Sequence, residues 1–324
     1  MNVFVSGATG FIGSQLALAL AEKGITVHAL YRSEKKAEII QHTNIKLFKG
    51  DILDLDSLKS AIETCEQVYH VAAFAKAWTK NPADIYKLNI DGAINVFKVA
   101  ADEGVKKIVF TSTAGVLGAS KEGMLNETAY PREQFSHYEK SKSILEEKVK
   151  LNSFKNIEIV IVNPSRVYGP GILSESNSFT TLIQKFMNGS WRIIPGNGKS
   201  IANYVFIDDL IEGHILAMEK GKNGERYILG GENISYNELF KVLETIRGKR
   251  KRMYRMPLVI MLILAQIFIF LSIFGIRPMI TPALVKKYNM NFLLDISKAQ
   301  KELGYKAIGF KEGATSTVQW LKEK

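Results

Sequence analysis

Asn2-Val3-Phe4-Val5-Ser6-Gly7-Ala8-Thr9-Gly10-Phe11-Ile12-Gly13 is a strand-length apolar run that ends in three glycines spaced three apart. Leu16, Leu18, Ala19 and Leu20 carry an apolar helical pattern onward to Glu22-Lys23-Gly24. The stretch reads as strand, tight turn and helix, with Gly24 as the helix stop. Such a turn brings backbone N–H groups and a helix N-terminus to one point, where a pyrophosphate is readily bound. Gly7 permits the turn, Gly10 lets the backbone approach phosphate, and Gly13 allows helix to pack closely on strand. The spacing is G-x-x-G-x-x-G rather than G-x-G-x-x-G.

The alternation continues. Strands are predicted at residues 26–30, 45–48, 67–72 and 107–111, and helices at 57–63 and 81–104. Asn81 caps the second helix with Pro82 at its first position, and Gly104 lies just past its end. A capping box, Ser136 to Glu139, opens a helix to about residue 151, and 157–162 is another apolar strand. After Pro164 the regularity weakens: residues 166–202 are rich in Gly, Pro, Ser and Asn around a helix at 179–187. Late strands at 204–207 and 227–229 flank a helix at 210–220, and a second capping box, Ser235 to Glu238, opens a helix to 247. Strands alternating with helices imply an α/β fold, a doubly wound parallel sheet with a smaller, discontinuous, mainly helical C-terminal lobe. The expected division is 1–165 with 203–231 for the nucleotide-binding part, and 166–202 with 232–324 for the substrate-binding lobe.

A chain of 324 residues, 46% hydrophobic, buries a substantial core. Its single cysteine, Cys65, excludes an intrachain disulfide framework, and the start Met1-Asn2-Val3-Phe4 has no secretory pattern, so a cytoplasmic location is expected. The net charge of +11 is diffuse except at 247–255, where six cations fall in nine residues. No aromatic-interleaved basic sheet, zinc-ligand spacing or basic heptad accompanies it, so no nucleic-acid partner is expected. His28, His42, His70, His137 and His214 show no ligand spacing, so no metal is expected; His70 reads as a core strand residue.

Tyr138-Glu139-Lys140-Ser141-Lys142 places a phenol and an ammonium one helical turn apart. A free tyrosine titrates near ~10, and a cation one turn away favours the phenolate, which makes the phenol usable as an acid and base. Thr111-Ser112-Thr113-Ala114-Gly115-Val116-Leu117-Gly118 ends the fifth strand, on the side of a parallel sheet where ligands bind. A hydroxyl there can share a substrate oxygen with the tyrosine.

With these residues the sequence resembles the extended short-chain dehydrogenase/reductases, and more narrowly their dihydroflavonol reductase-like and hopanoid-associated epimerase-like branch. Further support comes from Gly50-Asp51, His70 to Ala73, Asn89-Ile90-Asp91-Gly92, Asn163 to Pro170, Tyr204 to Asp209 and Lys301 to Tyr305. The resemblance implies a Rossmann domain, with Thr113, Tyr138 and Lys142 as the catalytic set and Lys142 also on the nicotinamide ribose. Gly7, Thr9, Gly10, Phe11, Ile12 and Gly13 would hold the pyrophosphate, and Asp51 with Ile52 the adenine. Ala72, Ala73, Pro164 and Val167 would surround the nicotinamide, with a homodimer as the customary assembly. Leu117 stands where many relatives carry a tyrosine, a departure that bears on sugar-type contacts.

The second strand ends in Leu30-Tyr31-Arg32-Ser33, without the acid that holds the ribose 2′-hydroxyl of NAD. Arg32 and Ser33, with Lys35 and Lys36 behind, suit a 2′-phosphate, so NADP(H) is expected, with NAD(H) as the alternative. A reductase consumes NADPH on a ketone or aldehyde; an epimerase of nucleotide sugars uses the same residues without net consumption. Ala202 stands where nucleotide-sugar relatives carry an arginine for the diphosphate, which favours the reductase. A non-catalytic NADP(H)-sensing or scaffold protein would not need Thr113, Tyr138 and Lys142. Phe74 and Trp78 follow the fourth strand at the expected pocket mouth and are candidate substrate contacts, as is Thr113.

Residues 258–274 are almost unbroken apolar sequence, 17 residues at the short edge of the ~17 to 25 that span hydrocarbon. A helix apolar on every face is buried in protein or in lipid. Coming after the cations, segment 247–275 is expected to hold the protein peripherally to an anionic membrane surface on the cytoplasmic face, with a lipid-like or otherwise apolar substrate. Burial within the lobe is the alternative.

Overall fold

A computed structural model describes the chain except residues 76–77, 131–133, 152–153 and 155. The strands are β1 (Asn2–Ser6), β2 (Thr26–Tyr31), β3 (Ile45–Lys49), β4 (Gln67–His70), β5 (Lys107–Thr111), β6 (Glu158–Pro164), β7 (Arg166–Tyr168), β8 (Ile193–Pro195), β9 (Ile201–Phe206), β10 (Arg226–Leu229), β11 (Glu232–Ser235) and β12 (Tyr254–Met256). Seven of them form one sheet in the order β10-β6-β5-β4-β1-β2-β3, every pair parallel.

Residue alternation along β1 shows how the layers arise. Val3 and Val5 point into a core shared with Leu16 and Leu20 of helix Phe11–Glu22 and Leu210 and Met218 of helix Ile207–Lys220. Phe4, between them, points the other way, into a core with Ile62 of helix Leu55–Ile62, Phe97 of helix Gly92–Asp102 and Leu145 of helix His137–Lys150. A strand covered on both faces must be apolar at every position, which is why β1 shows no polar alternation. The order reverses beside β1: β2 lies on one side and β4 on the other, with Ser6 opposite His70. The connections after β1 and β4 therefore leave in opposite directions and open a crevice at the carboxyl ends.

The smaller lobe contains a three-stranded sheet, β11-β9-β7, and the pair β12-β8. The strand expected at 204–207 is β9, which pairs with β7 and β11. Strand β10 takes the edge position beside β6, with Arg226 opposite Ile161. Chain segment 291–294 returns across the lobe: Phe292 N donates to Ile201 O at 2.9 Å, and Leu125 N to Leu293 O at 2.9 Å.

Helix Leu258–Ser272 is largely bare. Only Met261 and Ala265 are buried, against Val285, whereas Val259 (67%), Phe270 (60%), Ile273 (74%) and Phe274 (70%) are exposed. Burial within the lobe is thereby overturned. Among the described residues, no helix is long and apolar enough to cross a membrane.

Candidate active site

Gly7 has φ +72°, and a Cβ there would lie 2.7 Å from Ala72 N; a Cβ on Gly13 would lie 2.2 Å from Gly7 O. The first glycine thus lets the turn pass under the β4 connection, and the third lets the helix close onto the turn. Gly10 is the N-cap of helix Phe11–Glu22 and offers no side-chain cap, nor is there an acid in the first turn. The opening N–H groups of Phe11, Ile12 and Gly13 precede the first intrahelical bond, Ser14 N to Gly10 O at 3.0 Å. This is a cradle for a phosphate anion. Phe11 itself is buried, so it contributes backbone there; Thr9 is half-buried beside it.

At the end of β2, Arg32 Nη1 pairs with Asp51 Oδ2 at 3.3 Å, two of the residues expected on the adenosine half of the cofactor. Asp51 is fixed by accepting from Leu53 N at 3.0 Å. Glu34, the nearest acid following Arg32, is engaged by Lys49 at 3.0 Å. Ser33 precedes the short helix Glu34–Ala37, which carries Lys35 and Lys36. Ile52 is a core side chain packed on Gly92.

The catalytic candidates sit on β5 and helix His137–Lys150. Thr111 Oγ1 is committed to His214 Nε2 at 3.0 Å, while His214 Nδ1 donates to Leu210 O at 2.8 Å. Burial holds His214 near 4, so the ring is neutral and accepts from Thr111. Thr113 is differently placed: its Oγ1 accepts from Gly115 N at 3.1 Å, and its O–H remains to donate. Asn163 Nδ2 holds Thr113 O at 3.1 Å and Glu146 Oε1 at 2.7 Å. Glu146 is in turn ion-paired with Arg226 at 3.1 Å, both buried. His70 is a buried core residue, its Nδ1 2.9 Å from Ser6 Oγ.

The Ser136 to Glu139 capping box is present and starts the helix that carries Tyr138 and Lys142. Lys142 is fully buried, donates to Thr111 O at 2.8 Å and lies 4.7 Å over the Phe110 ring. Desolvation pulls its ammonium down to about 7, with Glu146 opposing. Tyr138 moves opposite to the sequence expectation. Burial, with the neighbouring Glu139 charge, pushes the phenol up, and the Lys142 ammonium is bonded to the β5 carbonyl of Thr111. In the cofactor-free chain Tyr138 is a protonated donor.

Asn89 had no assigned role from sequence, yet it joins the two sides of the site. Its Oδ1 accepts from Phe74 N at 2.7 Å, and its Nδ2 donates to Ser141 Oγ at 2.9 Å. It lies in a π-helical turn, Lys87–Asp91, a distortion often found at functional sites.

A cavity of about 130 Å³ lies beside Thr113, lined by Pro164, Ser165, Arg166, Asn203, Glu139, Lys287, Phe292 and Leu294 among others. Phe74 and Trp78 are half-buried in the β4 connection and are not among its lining residues. Its apolar wall comes instead from segment 291–294. Leu117 is core, packed with Val116 and Leu294. Ala72 and Ala73 are half-buried on the β4 connection, with Ala72 N donating to Ser6 Oγ at 3.2 Å; Val167 is paired opposite Val205 in the small sheet.

Residues 3–230 match the model of the NAD dependent epimerase/dehydratase family. The chain is 28% identical to sterol demethylase protein B of Methylococcus capsulatus, over 100% of this chain and 99% of that one. It is 30% identical to the dihydroflavonol 4-reductase of Gerbera hybrida, over 75% and 72%. A UDP-glucose 4-epimerase with UDP-glucose from Thermotoga maritima superposes with a TM-score of 0.83 at 26% identity, covering 100% and 99% of the two chains. The glycine turn, the β5 hydroxyls and the Tyr138 helix thus stand on the fold shared by these enzymes: the chain belongs to the NAD dependent epimerase/dehydratase family, and is an NAD(P)-dependent oxidoreductase of the extended short-chain type.

Proposed function

We propose that the chain is an NADP(H)-dependent reductase of a ketone or aldehyde on a small apolar or lipid-like substrate. The observation that carries it is the cavity beside Thr113, with Phe292 and Leu294 as its apolar wall. Its volume of about 130 Å³ takes the carbonyl and its nearest carbons, and the cavity is not closed off from solvent, so the rest of a longer substrate can extend beyond it. Ala202, where nucleotide-sugar relatives carry a cation, is buried beside Phe292.

The residues fit a dinucleotide: the glycine cradle takes the pyrophosphate, and Arg32 with Ser33 takes a 2′-phosphate once the exposed Asp51 pair opens. Such a surface pair is worth ~0 to 1 kcal/mol and yields readily to a dianion. Bound there, NADP(H) supplies a hydride. Thr113 Oγ, held by Gly115 N, donates a hydrogen bond to the substrate oxygen and fixes its position while keeping its own proton. Tyr138 gives its phenolic proton to the same oxygen, and Lys142, one turn away, favours the phenolate left behind. A sensor or scaffold would require none of this.

Attachment to an anionic membrane surface accompanies this reading. Burial lowers the pKa of Lys251, with the charges of Arg247 and Arg192 adding to it, so a basic cluster stands at the root of the bare apolar helix. An exposed apolar face of this kind on a soluble fold marks a contact surface, and cations beside it suit anionic headgroups. The helix would lie in the interface plane.

The test of the reductase reading is stoichiometry: NADPH oxidised one for one with alcohol formed supports it. Interconversion of substrate isomers without net oxidation sinks it in favour of epimerisation.

A further inference from the structure

We propose that Arg166 is the receptor for an anionic group on the substrate, so that the carbonyl compound taken by this site is also an acid. The proposal rests on the reductase reading for the carbonyl, and on independent geometry for the anion.

Arg166 lies in β7 and lines the cavity that contains Thr113. One nitrogen of its guanidinium is spent: Nη1 donates to Tyr236 Oη at 2.8 Å and to Tyr204 Oη at 3.3 Å. The rest of the fork, Nε–H and both Nη2 hydrogens, has no partner among the described residues. That unused edge is the side of an arginine that accepts a carboxylate or phosphate through two parallel bonds. The surroundings hold the group in place without neutralising it. The guanidinium carbon lies 5.7 Å from the Tyr204 ring, 6.0 Å from Tyr236 and 5.9 Å from Phe292. Burial pushes the Tyr204 and Tyr288 phenols up, so these neighbours stay neutral.

The two cations of the cavity differ in this respect. Lys287 is ion-paired with Glu139, whose other oxygen accepts from Phe135 N at 3.0 Å and Ser136 N at 3.1 Å. Arg166 has no carboxylate within ion-pair distance among the described residues. A partly desolvated cation without a counter-charge is costly in a resting protein, and an anionic ligand removes that cost. The small cavity then sets the spacing. A carboxylate or a phosphate monoester at Arg166 is only a few carbons from a carbonyl at Thr113, with Phe292 and Leu294 covering the carbons between. Ala202, which sequence reading took as favouring a reductase over a nucleotide-sugar epimerase, is a different position from Arg166, which stands on β7.

The test is an equilibrium titration by ligand-observed NMR, with and without NADP⁺, of 4-oxopentanoate, its methyl ester and 4-oxopentyl phosphate. The wild-type chain should bind at least one of the two anions tenfold or more tighter than the neutral ester. Preference for the carboxylate or for the phosphate identifies which anion the site takes. Arg166→Gln should lose the difference while the ester binds as before, and Arg166→Lys, which keeps charge but not fork, should retain part of it. Equal affinity for anions and ester in the wild type, or an anion preference that survives Arg166→Gln, overturns the proposal. NADPH oxidation with the same compounds separates the two readings. Anion binding through Arg166 without turnover retains the receptor and removes the reductase; turnover indifferent to Arg166→Gln does the reverse.

Discussion

Asn89 Nδ2 donates to Ser141 Oγ at 2.9 Å, and Ser141 Oγ donates in turn to Tyr138 O at 2.7 Å. Because Asn89 also accepts from Phe74 N, one buried amide ties the β4 connection to the helix that carries Tyr138 and Lys142. Asn89→Ala removes the bonds that Asn89 makes to Phe74 N and Ser141 Oγ, at a cost of ~1 to 3 kcal/mol. The expected outcome is a kcat about tenfold or more lower, with nucleotide affinity less affected. Steady-state kinetics beside a nucleotide titration checks this, and an unchanged kcat would remove Asn89 from the positioning machinery.

Lys142 predicts a pH dependence of stability with a definite sign. Its ammonium is at about 7 in the folded, cofactor-free chain, against an ordinary value near ~10.4 when unfolded. Between these the unfolded chain binds more protons, so the contribution of Lys142 to stability rises with pH across that window and is most unfavourable below about 7. Urea unfolding at several pH values should show the rise, and Lys142→Met should flatten it. An equally steep rise in the variant would mean that Lys142 is not so placed.

Gly13→Ala puts a methyl 2.2 Å from Gly7 O, backbone against backbone. The turn must shift, which costs ~1 to 3 kcal/mol and displaces the N–H groups meant for phosphate. Both the urea midpoint and the affinity for nucleotide should fall together.

The parts of this molecule legible in sequence are those fixed by local pattern. Both capping boxes, Ser136 with Glu139 and Ser235 with Glu238, are where the spacing put them, because a cap involves residues three apart. The seven strands of the main sheet followed from apolar runs between helices. Arg166 and Phe292 could not be paired by such reasoning: they are far apart in the chain and meet only because segment 291–294 folds back beside β9. Strand β9 was expected without a named partner, since a period of two does not say which strand it joins; it pairs with β7 and β11. The Tyr138 phenol was expected to be lowered by Lys142, but burial, with the charge of Glu139 beside it, pushes it up, and burial of one side chain at a lobe boundary has no local sequence signal.

Ile263 (56%) and Ile267 (49%) are exposed on helix Leu258–Ser272. Replacing both with Asp should change folding stability by no more than ~0.5 kcal/mol per site. Flotation with anionic liposomes should be lost in the variant and present in the wild type. A wild-type protein that never floats would remove the membrane from the account.

The central claim, an NADP(H)-dependent reductase, is tested most directly by titrating the purified chain with NADPH and NADH in parallel. The account predicts freely exchanging NADPH, favoured about tenfold or more, with the preference lost in Arg32→Ala. Tightly retained NAD(H), or a preference for NADH, would contradict it and make epimerisation the better description of this site.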